Sequence, residues 1–173
     1  MAGMTGPVKK IRYGVEGEQF AQGVGASQVL YPGEVALQSG SGSVTAGYLK
    51  NAASPGAADL VVGMLGEPTG GAYMLGPSIT AGTVDGELQM EVLTGTFFIQ
   101  SGTGSDELSA ATNNKTVYYG GENEDGPIAC ATSQGSSLPV LGVQRPQDPS
   151  IAGGALPGEN YWPIAIRPDL GGT

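Results

Sequence analysis

The acidic turn Glu122-Asn123-Glu124-Asp125-Gly126 offers oxygen ligands of the kind Ca²⁺ takes. It lacks the one-residue spacing and the later bidentate glutamate of an EF-hand loop, so an exposed hairpin tip is the plainer reading. Sixteen carboxylates could include a glycosidase pair, but nothing in their order singles out two, and three Phe and one Trp leave little to line a sugar cleft. The chain has no histidine, which removes His-based catalysis, His metal sites and Ser-His-Asp triads. A Ser-Lys dyad is the one familiar nucleophile arrangement left open. Lys9, Lys10, Lys50 and Lys115 each sit in a polar or terminal setting that reads as a solvated lysine. Cys130 lies in the apolar stretch Pro127-Ile128-Ala129-Cys130-Ala131 with no positive charge beside it to activate the thiol, and reads as a buried structural cysteine. Alone, it forms no internal disulfide and no Cys-cluster zinc site. The run Gln38-Ser39-Gly40-Ser41-Gly42-Ser43 precedes no helix pattern and matches neither a P-loop nor a dinucleotide fingerprint. No catalytic residue, cofactor or metal is expected, and the chain is not expected to be an enzyme.

The composition narrows the partners. At 173 residues the chain is long enough for one domain and too short for two full ones. Its 31 glycines and 12 prolines press toward low complexity, but 39% hydrophobic and only 13% charged residues indicate a folded, turn-dense chain. A net charge of −9 and an isoelectric point near 4.2 argue against nucleic acid or an anionic membrane as partner. The longest apolar stretch, 60–66, is far short of the roughly 20 residues of a membrane helix. Lys9, Lys10 and Arg12 are followed by no apolar run of the secretory kind, so synthesis in the cytoplasm is expected.

Glycine and proline punctuate the chain too often for long helices. The longest stretch free of both, 105–119, has room for one or two turns over 105–111, capped by Ser105 and ended by Asn113-Asn114. Strand patterns are clearer. Ile11, Tyr13 and Val15 alternate with polar residues, and so do Leu88, Met90 and Val92. Asp85-Gly86 gives a hairpin signal, and Gly95 suggests a bulge before Thr96-Phe97-Phe98-Ile99. Further strands are expected at 29–31, 34–38, 60–65, 116–119, 127–131, 140–143 and 162–166. Val61-Val62-Gly63-Met64 and Val140-Leu141-Gly142-Val143 resemble each other weakly, but strand-then-turn chemistry repeats in any β protein. The expected fold is all-β: a compact sandwich or barrel of short strands with very little helix.

Three regions are expected: an N-terminal arm (1–10), a β-rich domain (11–143) and a Pro/Gly-rich C-terminal extension with a docking strand (144–173). Lys9, Lys10 and Arg12 form a basic cluster that meets either an acidic partner surface or only solvent. Trp162, Ile164 and Ile166 either anchor the chain on a partner or close its own sheet.

The order of five segments resembles the small head-decoration, or capsid cement, proteins of tailed bacteriophages. They are Tyr31-Pro32-Gly33-Glu34-Val35-Ala36-Leu37, Val61-Val62-Gly63-Met64-Leu65, the run 86–97, Thr116-Val117-Tyr118-Tyr119 and Leu138-Pro139-Val140-Leu141-Gly142-Val143, within roughly 28–143. Tyr119 stands where many relatives would carry a tryptophan, and the segment from Gln144 onward looks like an addition. The resemblance implies a virion protein on the capsid exterior, contacting the major capsid protein and neighbouring copies of itself as a dimer or trimer, with neither nucleic acid nor membrane as partner. It carries over no catalytic residue. An alternative is a glycan-binding or adhesin-type surface module, which clustering of Tyr73, Tyr118, Tyr119 and Trp162 in a shallow groove would favour. Deleting 1–12, or separately 144–173, is expected to weaken shell binding without unfolding the core.

Overall fold

The computed structural model describes residues 11–69, 78–100, 108–122, 128–131, 138–146 and 161–166. Among the described residues there are eleven strands: β1 (Ile11–Gly23), β2 (Val29–Leu30), β3 (Val35–Gln38), β4 (Leu49–Lys50), β5 (Leu60–Pro68), β6 (Ile79–Thr80), β7 (Gln89–Gln100), β8 (Thr116–Glu122), β9 (Ile128–Ala131), β10 (Val140–Gln144) and β11 (Tyr161–Ile166). The helix among the described residues is a single 3₁₀ turn, Ala110–Thr112, so the expected all-β fold is what forms. The turn overlaps the end of the stretch 105–111 expected to be helical and is capped by Ser109; Ser105 lies outside the described residues. Asn113 ends it as anticipated.

Nine strands make one curled antiparallel sheet in the order β4-β3-β5-β7-β11-β10-β8-β9, with β1 also on β7; β2 and β6 form a separate pair. The sheet forks at β7. One edge of β7 carries β1 from Gln89 to Phe98. Its other edge holds β5 over Met90–Leu93 and β11 over Gly95–Gln100. Gly95, at φ +124°, sits where the partner changes, in a conformation that side chains rarely adopt. The bulge expected there is therefore a branch point between two wings.

Each wing repeats one topology. In β4-β3-β5-β7 and in β9-β8-β10-β11, a hairpin is followed by a strand on the far side of its first member and then by a fourth strand beside that. The two look-alike sequences occupy the third place in each wing. Both carry an extra residue against their neighbour, between Val61 and Gly63 and between Val140 and Gly142. Both glycines lie under a backbone carbonyl: a Cβ on Gly63 would fall on Leu93 O, and one on Gly142 on Ala165 O. The bulges turn opposite ways, because Val62 packs into one core and Leu141 into the other. Gly142→Ala must push β10 away from β11, and we expect it to cost roughly 1–3 kcal/mol, read from a urea unfolding midpoint.

The curl encloses two apolar cores. The first lies between the wings, with Val35, Leu37, Val61, Met64 and Phe97 facing Val117, Tyr119, Leu141, Ile164 and Ile166. The second holds Ala36, Val62, Leu65, Met90 and Val92 under Val24, Leu30, Ile79 and Leu88. β3 and β5 are therefore buried on both sides, which is why 61–65 reads as an unbroken apolar run and not as an alternation. Asp85-Gly86 does make a tight turn, with Glu87 N–H donating to Val84 O. It joins β6 to β7, which do not pair, so it is not a hairpin.

Candidate functional site

The residues expected to touch a partner divide between core and surface. Ile164 and Ile166 are buried in the first core, and Trp162 packs against it. β11 is an interior strand, flanked by β7 and β10. Of the two roles considered for this segment, closing its own sheet is the one the structure displays. Removing 144–173 would take β11 and Gln144 out of the fold, so that deletion is expected to unfold the chain, contrary to the sequence-based expectation. Lys9 and Lys10 lie outside the described residues. Arg12 lies in β1 opposite Phe97.

Register brings the chain's outlying segments to one place. Phe97 is flanked by Arg12 on β1 and by Ile164 on β11. Ile164 pairs with Gln144 on β10, whose N–H donates to Lys115 O. A row Arg12–Phe97–Ile164–Gln144–Lys115 thus crosses the sheet, spanning roughly 19 Å at about 4.8 Å per strand. Just beyond it, Tyr161 pairs with Gln100 and Arg145 N–H donates to Pro163 O. Ile11, Gln100, Arg145 and Tyr161, next to the segments 1–10, 101–107 and 147–160, therefore all lie at this end.

This end has a rigid base. The Gln144 side chain is fully buried: its Nε2 donates to Ser109 O (2.7 Å) and Asn113 Oδ1 (2.9 Å), while its Oε1 accepts from the Thr112 hydroxyl (2.6 Å). Ser109 caps the 3₁₀ turn by accepting from Ala111 N–H, and its own N–H donates to Thr112 Oγ1. The turn is thereby fixed to the end of β10. Lys115 and Arg145 are exposed beside it, with Arg145 reaching Asn114 Oδ1 at 3.3 Å.

The charges are unevenly placed. Among the described residues, Arg12 and Lys115 belong to the row and Arg145 lies beside it. In sequence, the segments 1–10, 101–107 and 147–160 contain four carboxylates, Asp106, Glu107, Asp148 and Glu159, and two cations, Lys9 and Lys10. At the opposite end of β7, Glu67 and Glu87 are exposed and Asp85 and Glu91 partly so. Asp85 is held below the usual aspartate range by the Thr45 hydroxyl (2.6 Å) and by Ala26 N–H (2.7 Å).

Other candidates fare differently. Lys50 is not solvated: it donates to Asp59 Oδ2 at 2.8 Å, and the two side chains are 19% and 3% exposed. Lys115 is exposed as expected. Tyr119 is buried with its hydroxyl donating to Ala52 O (2.6 Å), while Tyr118, next along β8, is only partly buried. Tyr119 is thus withdrawn from any surface groove; Tyr73 lies outside the described residues. The tip 123–127 also lies outside them, but β8 and β9 on either side pair as a hairpin. The Cys130 side chain is likewise outside the described residues. Among those residues no group of three His, Cys, Asp or Glu side chains could hold a metal ion, and no helix is long and apolar enough to cross a membrane. No family model, curated protein or solved structure matches the chain.

Proposed function

We propose that this chain is a structural virion protein that binds the outer surface of a phage capsid at capsomer junctions and stabilises the expanded head. The observation that carries the reading is that Ile11, Gln100, Arg145 and Tyr161, next to the segments 1–10, 101–107 and 147–160, lie together at one end of a sheet built on two apolar cores. A rigid body with several connected segments at one end suits a protein that adds contact area across a junction between subunits. Ordering such segments on a neighbour costs about 1–2 kcal/mol per residue for the backbone, so the surface they bury there must outweigh that cost. The five segments behind the resemblance all contribute strands to one sheet, β3, β5, β7, β8 and β10, which is consistent with it. The burial of Tyr119 removes one of the four rings that a sugar platform here would use.

The test is co-sedimentation with expanded, undecorated heads of the encoding phage, titrated to saturation. Saturation at a fixed ratio to the major capsid protein, with heads surviving more heat, is the expected result. Deleting 1–10 removes no described strand, so that variant should keep its unfolding midpoint and bind heads more weakly. Full-chain protein that never sediments with heads would remove the reading.

A further inference from the structure

The surface charge has a direction, and it coincides with the axis of β7. The row through Arg12 and Lys115 crosses at Phe97, and the carboxylates Glu67, Asp85, Glu87 and Glu91 surround the start of the strand at Gln89. Eight residues separate the two, roughly 26 Å at about 3.3 Å per residue. Among the residues whose side chains are described, the first end shows the exposed cations Lys115 and Arg145, while the second shows four carboxylates and no cation; Glu16 of β1 is placed by register opposite Gly95, two residues along β7 from the row. We infer that the chain docks end-on: the Lys115/Arg145 end meets a carboxylate-bearing protein surface, and the Glu67/Glu87 end points away from it.

Orientation is what the charges decide. A body of net charge −9 is repelled least by an acidic surface in the pose that turns Lys115 and Arg145 toward it and Glu67, Glu87 and Glu91 away. Charges near an interface steer encounter and fix the pose more than they add affinity, and salt weakens the effect. Rigidity matters as well. Gln144 anchors the turn beside Lys115 and Arg145, so these two cations ride on the sheet and not on a loose loop. The pose rests on the capsid reading above, and adds to it the face used and the chemistry it meets.

The experiment compares three full-length proteins on expanded, undecorated heads at low and physiological salt: wild type, Lys115→Glu with Arg145→Glu, and Glu67→Lys with Glu87→Lys. All four positions are exposed, and equal urea midpoints establish that each variant folds. The first double variant should bind roughly tenfold more weakly at low salt and lose most of its salt dependence, while the second should bind within about twofold of wild type. Equal weakening by both pairs, or wild-type binding that the first pair leaves unchanged, overturns the end-on pose and leaves the capsid reading standing. Failure of wild type to bind at any salt removes both. Salt-dependent growth of the free protein into chains, abolished by either pair, would assign the cations to a second copy and overturn the inference. So would binding to duplex DNA that the first pair abolishes.

Discussion

Asp59→Asn should lower the stability of this protein by about 3 kcal/mol, near the low end for breaking a buried ion pair. For a chain of this length that is a fall in Tm of roughly 6–12 °C. The carboxylate accepts from Lys50 Nζ, from Gly56 N–H at 2.7 Å and from Gly40 N–H at 3.1 Å, tying the serine-glycine loop and the loop after β4 to the start of β5. An amide of the same size keeps the shape but discards the charge and turns an NH₂ toward a donor. Lys50 then loses its counter-ion, although at 19% exposure its ammonium can turn partly to water, which is why the low end applies. Lys50→Met should cost less, because the carboxylate keeps both backbone donors.

Acid gives an independent check. Burial alone would raise the Asp59 pKa, but the Lys50 hydrogen bond, the Gly56 and Gly40 amides and the Lys50 charge together hold it below the ordinary 3.8. A carboxyl with a depressed folded pKa stabilises fully above its unfolded value of about 3.9 and loses that contribution as the pH falls through the folded one. Urea midpoints at pH 7 and pH 3 should therefore drop more steeply for wild type than for Asp59→Asn. Equal slopes would mean that Asp59 does not carry this part of the acid response.

Gln144→Leu should cost about 2–4 kcal/mol, because a side chain of similar size replaces three hydrogen bonds and leaves Asn113 Oδ1 without its donor, while the Thr112 hydroxyl and Ser109 O keep only each other at 2.8 Å. These partners are part-exposed and water can reach some of them, which keeps the figure from rising further. Gln144→Glu separates hydrogen bonding from packing. Its carboxylate would sit in a fully buried position facing two acceptor oxygens, so its folded pKa rises above the unfolded value of about 4.3. Stability is then closest to wild type below that value and falls as the pH climbs through the neutral range, opposite in sign to the Asp59 response. Urea midpoints at pH 4 and pH 7 read this directly. Hydrogen exchange should show the 3₁₀ turn opening first in both variants.

These two residues mark where the sequence ceases to be informative. Strands are legible because each is a short apolar or alternating run between glycines and prolines, and 29–31, 34–38, 60–65, 116–119 and 140–143 fall on β2, β3, β5, β8 and β10. Their order in the sheet is not legible. β11 is separated from β10 by a stretch rich in proline and glycine and nevertheless lies against it, and no local pattern reports a pairing made across such a distance. Lys50 and Asp59 are nine residues apart in a run of alanine, serine, proline and glycine, which reads as solvated loop until the fold brings in Gly40 from the other side. Gln144 reads as the first residue of an extension because prolines follow closely. Burial is what changes its meaning, and burial here is set by β11.

The branching of the sheet at β7 has a mechanical consequence. β1 and β11 lie on opposite edges of β7, both antiparallel to it, so they run parallel to each other. The first residue of β1 lies near the Gln100 end of β7, and the last residue of β11 opposite Gly95. Tension applied between the outer ends of these two strands pulls them in opposite directions along their length. It slides each over β7 and strains the cross-strand hydrogen bonds together, where a perpendicular pull would open them one at a time. A body joined to neighbours through β1 and β11 would thus resist stretching in the direction in which its backbone pairing is hardest to shear.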